Sequence, residues 1–211
     1  MSIDSMNIEN IKKIFKNKNA HFVDDFKEFS VLVPLVTIND EIHILFEIRS
    51  QNLSQPGEVS FPGGAIEDGE NYYLAGLREL NEELGIEYSK VEKIAKLDYF
   101  ATPFNFVIYP YLVYIHNFDF DILKINKDEV ESVFTVPLSY FFNTKPLKYK
   151  INVKMEPPKD YPYHLIPNGK NYNWRKGYYK TYFYLYEDKV IWGLTARIIE
   201  DFIYDLKKML P

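Results

Sequence analysis

Apolar residues recur along this chain with two spacings, and each predicts a different element. With successive residues turned by about 100°, Tyr73, Leu77, Leu80 and Leu84 fall in one narrow stripe, which predicts an amphipathic helix over 70–84. Asp68-Gly69 supplies a turn before it, and Gly85 is placed to cap its end. Residues 41–48 instead alternate polar with apolar, as a half-buried strand does, and pair with 30–38 as a hairpin around Asn39-Asp40. Further strands are expected at 91–101, 107–116, 130–136, 148–155 and 178–186, and a helix at 8–16. Ile198, Phe202, Leu206 and Met209 lie at helical spacing within 195–209, which reads as a core stripe of a closing helix. Strands in the middle and helices at both ends predict an α/β protein, a mixed β-sheet sandwiched between α-helices. We expect one domain overall, with 1–29 as an N-terminal helical segment packed on a main body of 30–211.

The polar side of the 70–84 helix carries the chemistry. Glu79, Glu82 and Glu83 stand at i, i+3 and i+4, spacings at which like charges repel. Taken alone, such a trio reads most simply as a solvated helix face. A bound cation is the alternative, and Ala75 and Gly76 are expected to leave room beside the acids for a metal and a phosphate group. Arg78 can hold one carboxylate in a bidentate pair or form an ordinary surface ion pair. Glu70 begins the helix, so an N-terminal capping role competes with a metal role. Upstream, Phe61-Pro62-Gly63-Gly64 leads into the helix, and Gly63 and Gly64 permit close approach of backbone amides to phosphate oxygens. With no cysteine and four histidines, a thiolate site is excluded and a zinc site disfavoured; carboxylates suit a hard ion such as Mg²⁺ or Mn²⁺.

The full spacing is Gly64, five residues, Glu70, seven residues, Arg78-Glu79-Leu80, one residue, Glu82-Glu83, one residue, Gly85-Ile86. It resembles the Nudix box at every defined position, a match expected by chance at a given start on the order of once in 10⁹. The resemblance implies the Nudix fold, with Glu79, Glu82 and Glu83 as metal ligands, Glu70 nearby, and Arg78 orienting the carboxylates. It also implies that one glutamate activates water; Glu129 and Glu131, in the loop before the strand-like Ser132 to Pro137, are candidates for that role, for an extra ligand, or are solvated loop acids. Arg49-Ser50, Leu53 and Gly57-Glu58-Val59-Ser60-Phe61-Pro62-Gly63-Gly64 resemble the coenzyme A pyrophosphatase branch, as do Thr102-Pro103, Val107 to Pro110, Pro137-Leu138 and Trp192-Gly193-Leu194-Thr195-Ala196-Arg197. That branch implies metal-dependent hydrolysis of coenzyme A or acyl-coenzyme A at the diphosphate, giving 3′,5′-ADP and (acyl-)4′-phosphopantetheine. Arg49 would contact a substrate phosphate and Phe61 would lie near the site. A Nudix hydrolase of another nucleoside diphosphate derivative, such as ADP-ribose or a dinucleotide, and a nucleotide-sensing module without turnover are the competing readings.

A net charge of −5 argues against a general nucleic-acid binder. Local basic groups, Lys148, Lys150 and Lys154, then Arg175, Lys176 and Lys180, are solvated faces or partners for a 3′-phosphate. The chain has no apolar run long enough for a signal peptide or a membrane span and no cysteine, so a cytoplasmic enzyme with a small-molecule partner is expected. The sequence permits a homodimer.

Overall fold

The computed structural model describes residues 7–18 and 26–210. In chain order the elements are α1 (Ile8–Phe15), β1 (Lys27–Ile38), β2 (Glu41–Arg49), β3 (Val59–Ser60), β4 (Gly63–Ala65), α2 (Tyr72–Leu84), β5 (Val91–Lys96), β6 (Phe100–Ala101), β7 (Phe106–Ile115), β8 (Val130–Pro137), α3 (Leu138–Asn143), β9 (Leu147–Val153), β10 (Gly177–Tyr186), β11 (Lys189–Trp192) and α4 (Gly193–Met209).

The expected hairpin joins β1 to β2, and Asn39 and Asp40 both take left-handed backbone angles, φ 49° and 64°, the geometry of a two-residue hairpin turn. The main sheet runs β3-β2-β1-β7-β5, with β4 against the first half of β1, β6 against β7 and β8 against β2. β1 and β7 are parallel and the other pairs antiparallel, so the sheet is mixed. β9, β10 and β11 form a second, antiparallel sheet.

Period-2 alternation divides the interior into two cores. Leu32 and Val36 of β1, Leu45 of β2, and Val107, Tyr111 and Val113 of β7 meet Leu77, Leu80 and Leu84 of α2. Val33, Leu35, Ile44, Phe46, Ile108 and Leu112 face the other way, onto Ile198, Ile199, Phe202 and Ile203 of α4. Each such side chain contributes about 1.5–3 kcal/mol on burial, so two well-filled cores rather than any polar contact seat α2 over β1. The sheet between helices is the arrangement that the patterning predicts.

Three expectations need correction. The strand expected over 91–101 is broken into β5 and β6. Leu97 N donates to Pro110 O at 3.0 Å, but Pro110 has no N–H to return, so the ladder lapses there. Residues 27–29 open β1, so they belong to the sheet rather than to an N-terminal helical segment. Finally, α1 has no buried residue and its apolar Ile8, Ile14 and Phe15 are exposed, so the expected packing against the main body is absent among the described residues. Residues 1–6 and 19–25 of that segment lie outside the described residues.

Candidate active site

The helix ends are built as local chemistry requires, with one change from expectation. Asn71, not Glu70, caps α2: its side chain accepts from the backbone N–H groups of Tyr73 at 3.0 Å and Leu74 at 3.3 Å. Gly85 closes the other end in the left-handed conformation, φ 70°, with its N–H on Asn81 O. Gly76 does not open space beside the acids. It faces β1, where a Cβ would stand 2.8 Å from Leu32 Cδ2, and Ala75 is fully buried. The missing side chain lets the helix lie close on the strand.

Arg78 is the hub of the box. Its Nε and Nη2 grip the two oxygens of Glu70 at 3.0 and 3.2 Å, and Nη1 reaches Glu79 at 2.8 Å and Glu82 at 3.1 Å. Nη2 also donates to Ala65 O at 3.1 Å, anchoring the guanidinium to β4. The Arg78 hydrogen bonds hold the Glu70 carboxyl below its ordinary range, as does the N–H of Glu67. Glu70 is therefore a brace for the arginine and does not enter the acidic group described next.

That group is Glu79, Glu83 and Glu129, each offering a carboxylate oxygen within 4.8 Å of the others. The expected trio was Glu79, Glu82 and Glu83. Residue i+4 turns back to within about 40° of residue i, whereas i+3 turns about 60° to the other side, so Glu83 follows Glu79 inward while Glu82 swings out to Arg78. The side chain of Glu82 is 51% exposed. Its place is taken by Glu129, which the chain brings in through its backbone: Lys124 N bonds Leu84 O at 2.9 Å and Asn126 N bonds Glu83 O at 2.8 Å, fastening the loop before β8 to the end of α2. Glu131 remains on the surface, accepting from Gln51 Nε2 at 3.1 Å.

The two glycines before the helix serve this group. Gly63 N–H donates to Glu83 Oε2 at 3.0 Å, so that amide is engaged by the protein rather than kept for a phosphate. A Cβ on Gly64 would stand 2.3 Å from Glu79 Oε1, so only glycine lets that carboxylate lean against β4. Phe61 is a core residue: just past β3 it is buried with Val59 in the α4-side core and stacks on Phe46 with ring centroids 5.1 Å apart. Arg49 stands at the end of β2, with its Nε on Ser54 O at 3.2 Å.

Burial dominates the electrostatics. Glu83 is pushed up to about 10 by desolvation, then by the nearby charges of Glu47, Glu79 and Glu129, against the opposing Gly63 hydrogen bond. Glu79 is also raised by burial, with Arg78 opposing. The residue that sequence reasoning missed is Glu47 on β2, 1% exposed and pushed up to about 7 by burial, with Ser60 and Arg49 opposing. The available signal was an acid directly after the apolar run Ile44-Leu45-Phe46; alternation made it look like a solvent-facing position. This donor set is all hard oxygen, and one buried carboxylate oxygen, Glu47 Oε2, has no hydrogen-bond partner. Such a group fits a divalent cation.

Other singled-out residues have structural places. Thr195 Oγ1 donates to Val59 O at 3.0 Å, tying the start of α4 to β3, and Arg197 lies over the rings of Phe100 and Tyr179 at 4.9 and 5.5 Å. Lys148 pairs with Glu200, while Lys150 and Lys180 face each other across β9 and β10. Among the described residues no helix is long and apolar enough to cross a membrane.

Comparison with known proteins adds to this geometry. The NUDIX domain family matches residues 29–154. "Nudix hydrolase 3" of Caenorhabditis elegans is 30% identical over 90% of this chain and 78% of its own length. "Peroxisomal coenzyme A diphosphatase NUDT7" of Mus musculus is 37% identical over 55% of this chain and 49% of its own, and "Mitochondrial coenzyme A diphosphatase NUDT8" of the same species is 30% identical over 81% and 74%. Among solved structures, a MutT/nudix family protein from Enterococcus faecalis superposes with a TM-score of 0.53 at 17% identity, over 97% of this chain and 71% of that one.

Proposed function

Because the chain belongs to the Nudix family and is a pyrophosphohydrolase, we propose that its substrate is coenzyme A or an acyl-coenzyme A, cut at the diphosphate to give 3′,5′-ADP and (acyl-)4′-phosphopantetheine. The observation that carries the reading is the segment from Arg49 to Gly64, which resembles the coenzyme A branch and in this fold ends with Gly63 and Gly64 packed against Glu83 and Glu79. Relatives whose names state coenzyme A diphosphatase activity, at 30–37% identity, support it.

Glu79, Glu83 and Glu129 would hold Mg²⁺ or Mn²⁺, which when bound neutralises diphosphate oxygens and orients water. Arg78 keeps the Glu79 carboxylate aimed through its 2.8 Å bond and is itself fixed by Glu70. Gly63 N–H fixes Glu83. Glu129 is held through its backbone, whose carbonyl accepts from Ser50 N at 2.9 Å, and its carboxylate comes from a loop, so the oxygen it does not give to the ion can take the proton of the attacking water. Arg49, at the rim of the segment, provides a cation for a substrate phosphate.

The test is product analysis with purified protein, Mg²⁺ or Mn²⁺, and a panel of coenzyme A, acetyl-coenzyme A, ADP-ribose and a dinucleoside polyphosphate. We expect 3′,5′-ADP from the coenzyme A compounds. Turnover of ADP-ribose with coenzyme A left intact would reassign the substrate, and tight binding without turnover under either ion would favour a sensing module.

A further inference from the structure

Glu47 has no role in the proposed hydrolysis, although its unpartnered oxygen lies buried in the same interior. It lies in the interior of β2, paired with Ser60 of β3 on one side and Val133 of β8 on the other, so its backbone is committed to the sheet. Alternation turns its side chain to the same face as Leu45, toward the α2 core. There it is 1% exposed. Oε1 accepts from Ser60 Oγ at 2.9 Å, but Oε2 is buried with no partner at all. The charges that act on it are Arg49, at the loop side, and Glu129 and Glu79; it is in turn the foremost charge acting on Glu83.

A carboxylate in such a place needs a reason. Buried acids are ordinarily paired with a cation or saturated with hydrogen bonds, because burial removes the water that would solvate them. Here half of the acceptor capacity is unmet and three of the neighbours are themselves acids. A valine or threonine would suit a strand position flanked on both sides far better. The orphan oxygen is a second observation, independent of the three clustered acids, and it indicates a ligand that arrives with positive charge. Ser60 fixes the carboxylate by its other oxygen, so Oε2 alone is left with its charge unmet.

We propose that Glu47 is a fourth carboxylate of the cation site: it lies outside the 4.8 Å group of Glu79, Glu83 and Glu129 and adds its buried, half-satisfied negative charge to the set that attracts the divalent ion. The inference rests on the metal-dependent reading of that site. It also accounts for Ser60, whose hydroxyl would otherwise sit in the strand without a purpose.

The experiment titrates the full chain with Mn²⁺, following free ion by electron paramagnetic resonance, for the unaltered protein, Glu47→Gln and Glu47→Asp, with circular dichroism reporting the unfolding midpoint of each. Glutamine keeps the size and the bond from Ser60 but removes the charge. We expect Mn²⁺ affinity at least tenfold weaker in Glu47→Gln and partly recovered in Glu47→Asp. The midpoint of metal-free Glu47→Gln should equal or exceed that of the unaltered chain, while the rise caused by Mn²⁺ should shrink. Equal affinity and stoichiometry in the unaltered protein and Glu47→Gln would overturn the inference and leave the metal-dependent function standing. Should Glu47→Gln not fold, Glu47→Asp decides: Mn²⁺ affinity equal to that of the unaltered chain overturns the inference, and a severalfold loss supports it. A folded, unaltered chain that takes up no Mn²⁺ would remove the functional reading itself, and the inference with it.

Discussion

Two groups of three acids come within 4.8 Å among the described residues, and they differ in everything except that distance. Glu79, Glu83 and Glu129 come from a helix and a distant loop, are fixed by Arg78 and the Gly63 N–H, and adjoin a buried carboxylate with an unpartnered oxygen. Asp98, Asp201 and Asp205 comprise two residues one helical turn apart on α4 and an exposed residue between β5 and β6. Asp201 is raised by partial burial and by its two acidic neighbours, while Arg197 opposes. Proximity of carboxylates is common on surfaces; fixed orientation and unmet charge in the interior are what distinguish a site.

That contrast is breakable. The largest effect expected is from Glu83→Gln, which should lower kcat by about 10³-fold or more with circular dichroism unchanged, since electrostatic stabilisation is the largest catalytic term in such sites. Glu82→Gln, on the outward side of the same helix, should lower it only about tenfold, because Glu82 acts through Arg78. Steady-state kinetics on both variants would separate the inward acids from the outward one. Gly64→Ala is expected to cost about 10²-fold in kcat by pushing the Glu79 carboxylate aside, with a smaller change in stability, a misplacement effect that kinetics and melting together would reveal.

Acidity supplies a further comparison. Glu47 and Glu83 are raised from 4.5 to about 7 and about 10, so the folded, metal-free chain binds more protons than the unfolded one. Their stabilising contribution is complete below about pH 4.5 and is lost as pH rises through about 7 and on toward about 10. Thermal unfolding in a chelator should therefore show Tm falling across that window, and saturating Mg²⁺ should flatten the fall. The smallest effect belongs to the second group: Asp201→Asn should leave kcat within about twofold and stability within about 0.5 kcal/mol, as surface changes usually do.

The same contrast explains what was legible in the sequence. Leu77, Leu80 and Leu84 announce α2 because one face must be apolar, and the box spacing marks Arg78, Glu79 and Glu83 because those roles need fixed offsets on a helix. Glu129 was legible only as a loop acid with several possible roles, because what sets it beside Glu79 and Glu83 while Glu82 turns outward is a pair of hydrogen bonds between a loop and a helix end about forty residues apart in the chain. Glu47 was hidden by a rule that works for strands with one wet face; here β2 is covered on both faces, so the position that alternation marks as polar is interior. Phe61, two residues before the first glycine of the site, was drawn toward it by sequence nearness, although its ring enters the core on the other side of the sheet with Phe46 and Val59.

The most direct measurement is an anomalous difference map from crystals of the full chain soaked in Mn²⁺. Density is expected among the carboxylates of Glu79, Glu83 and Glu129. Density at Asp98, Asp201 and Asp205 alone, or none between those three glutamates, would contradict it.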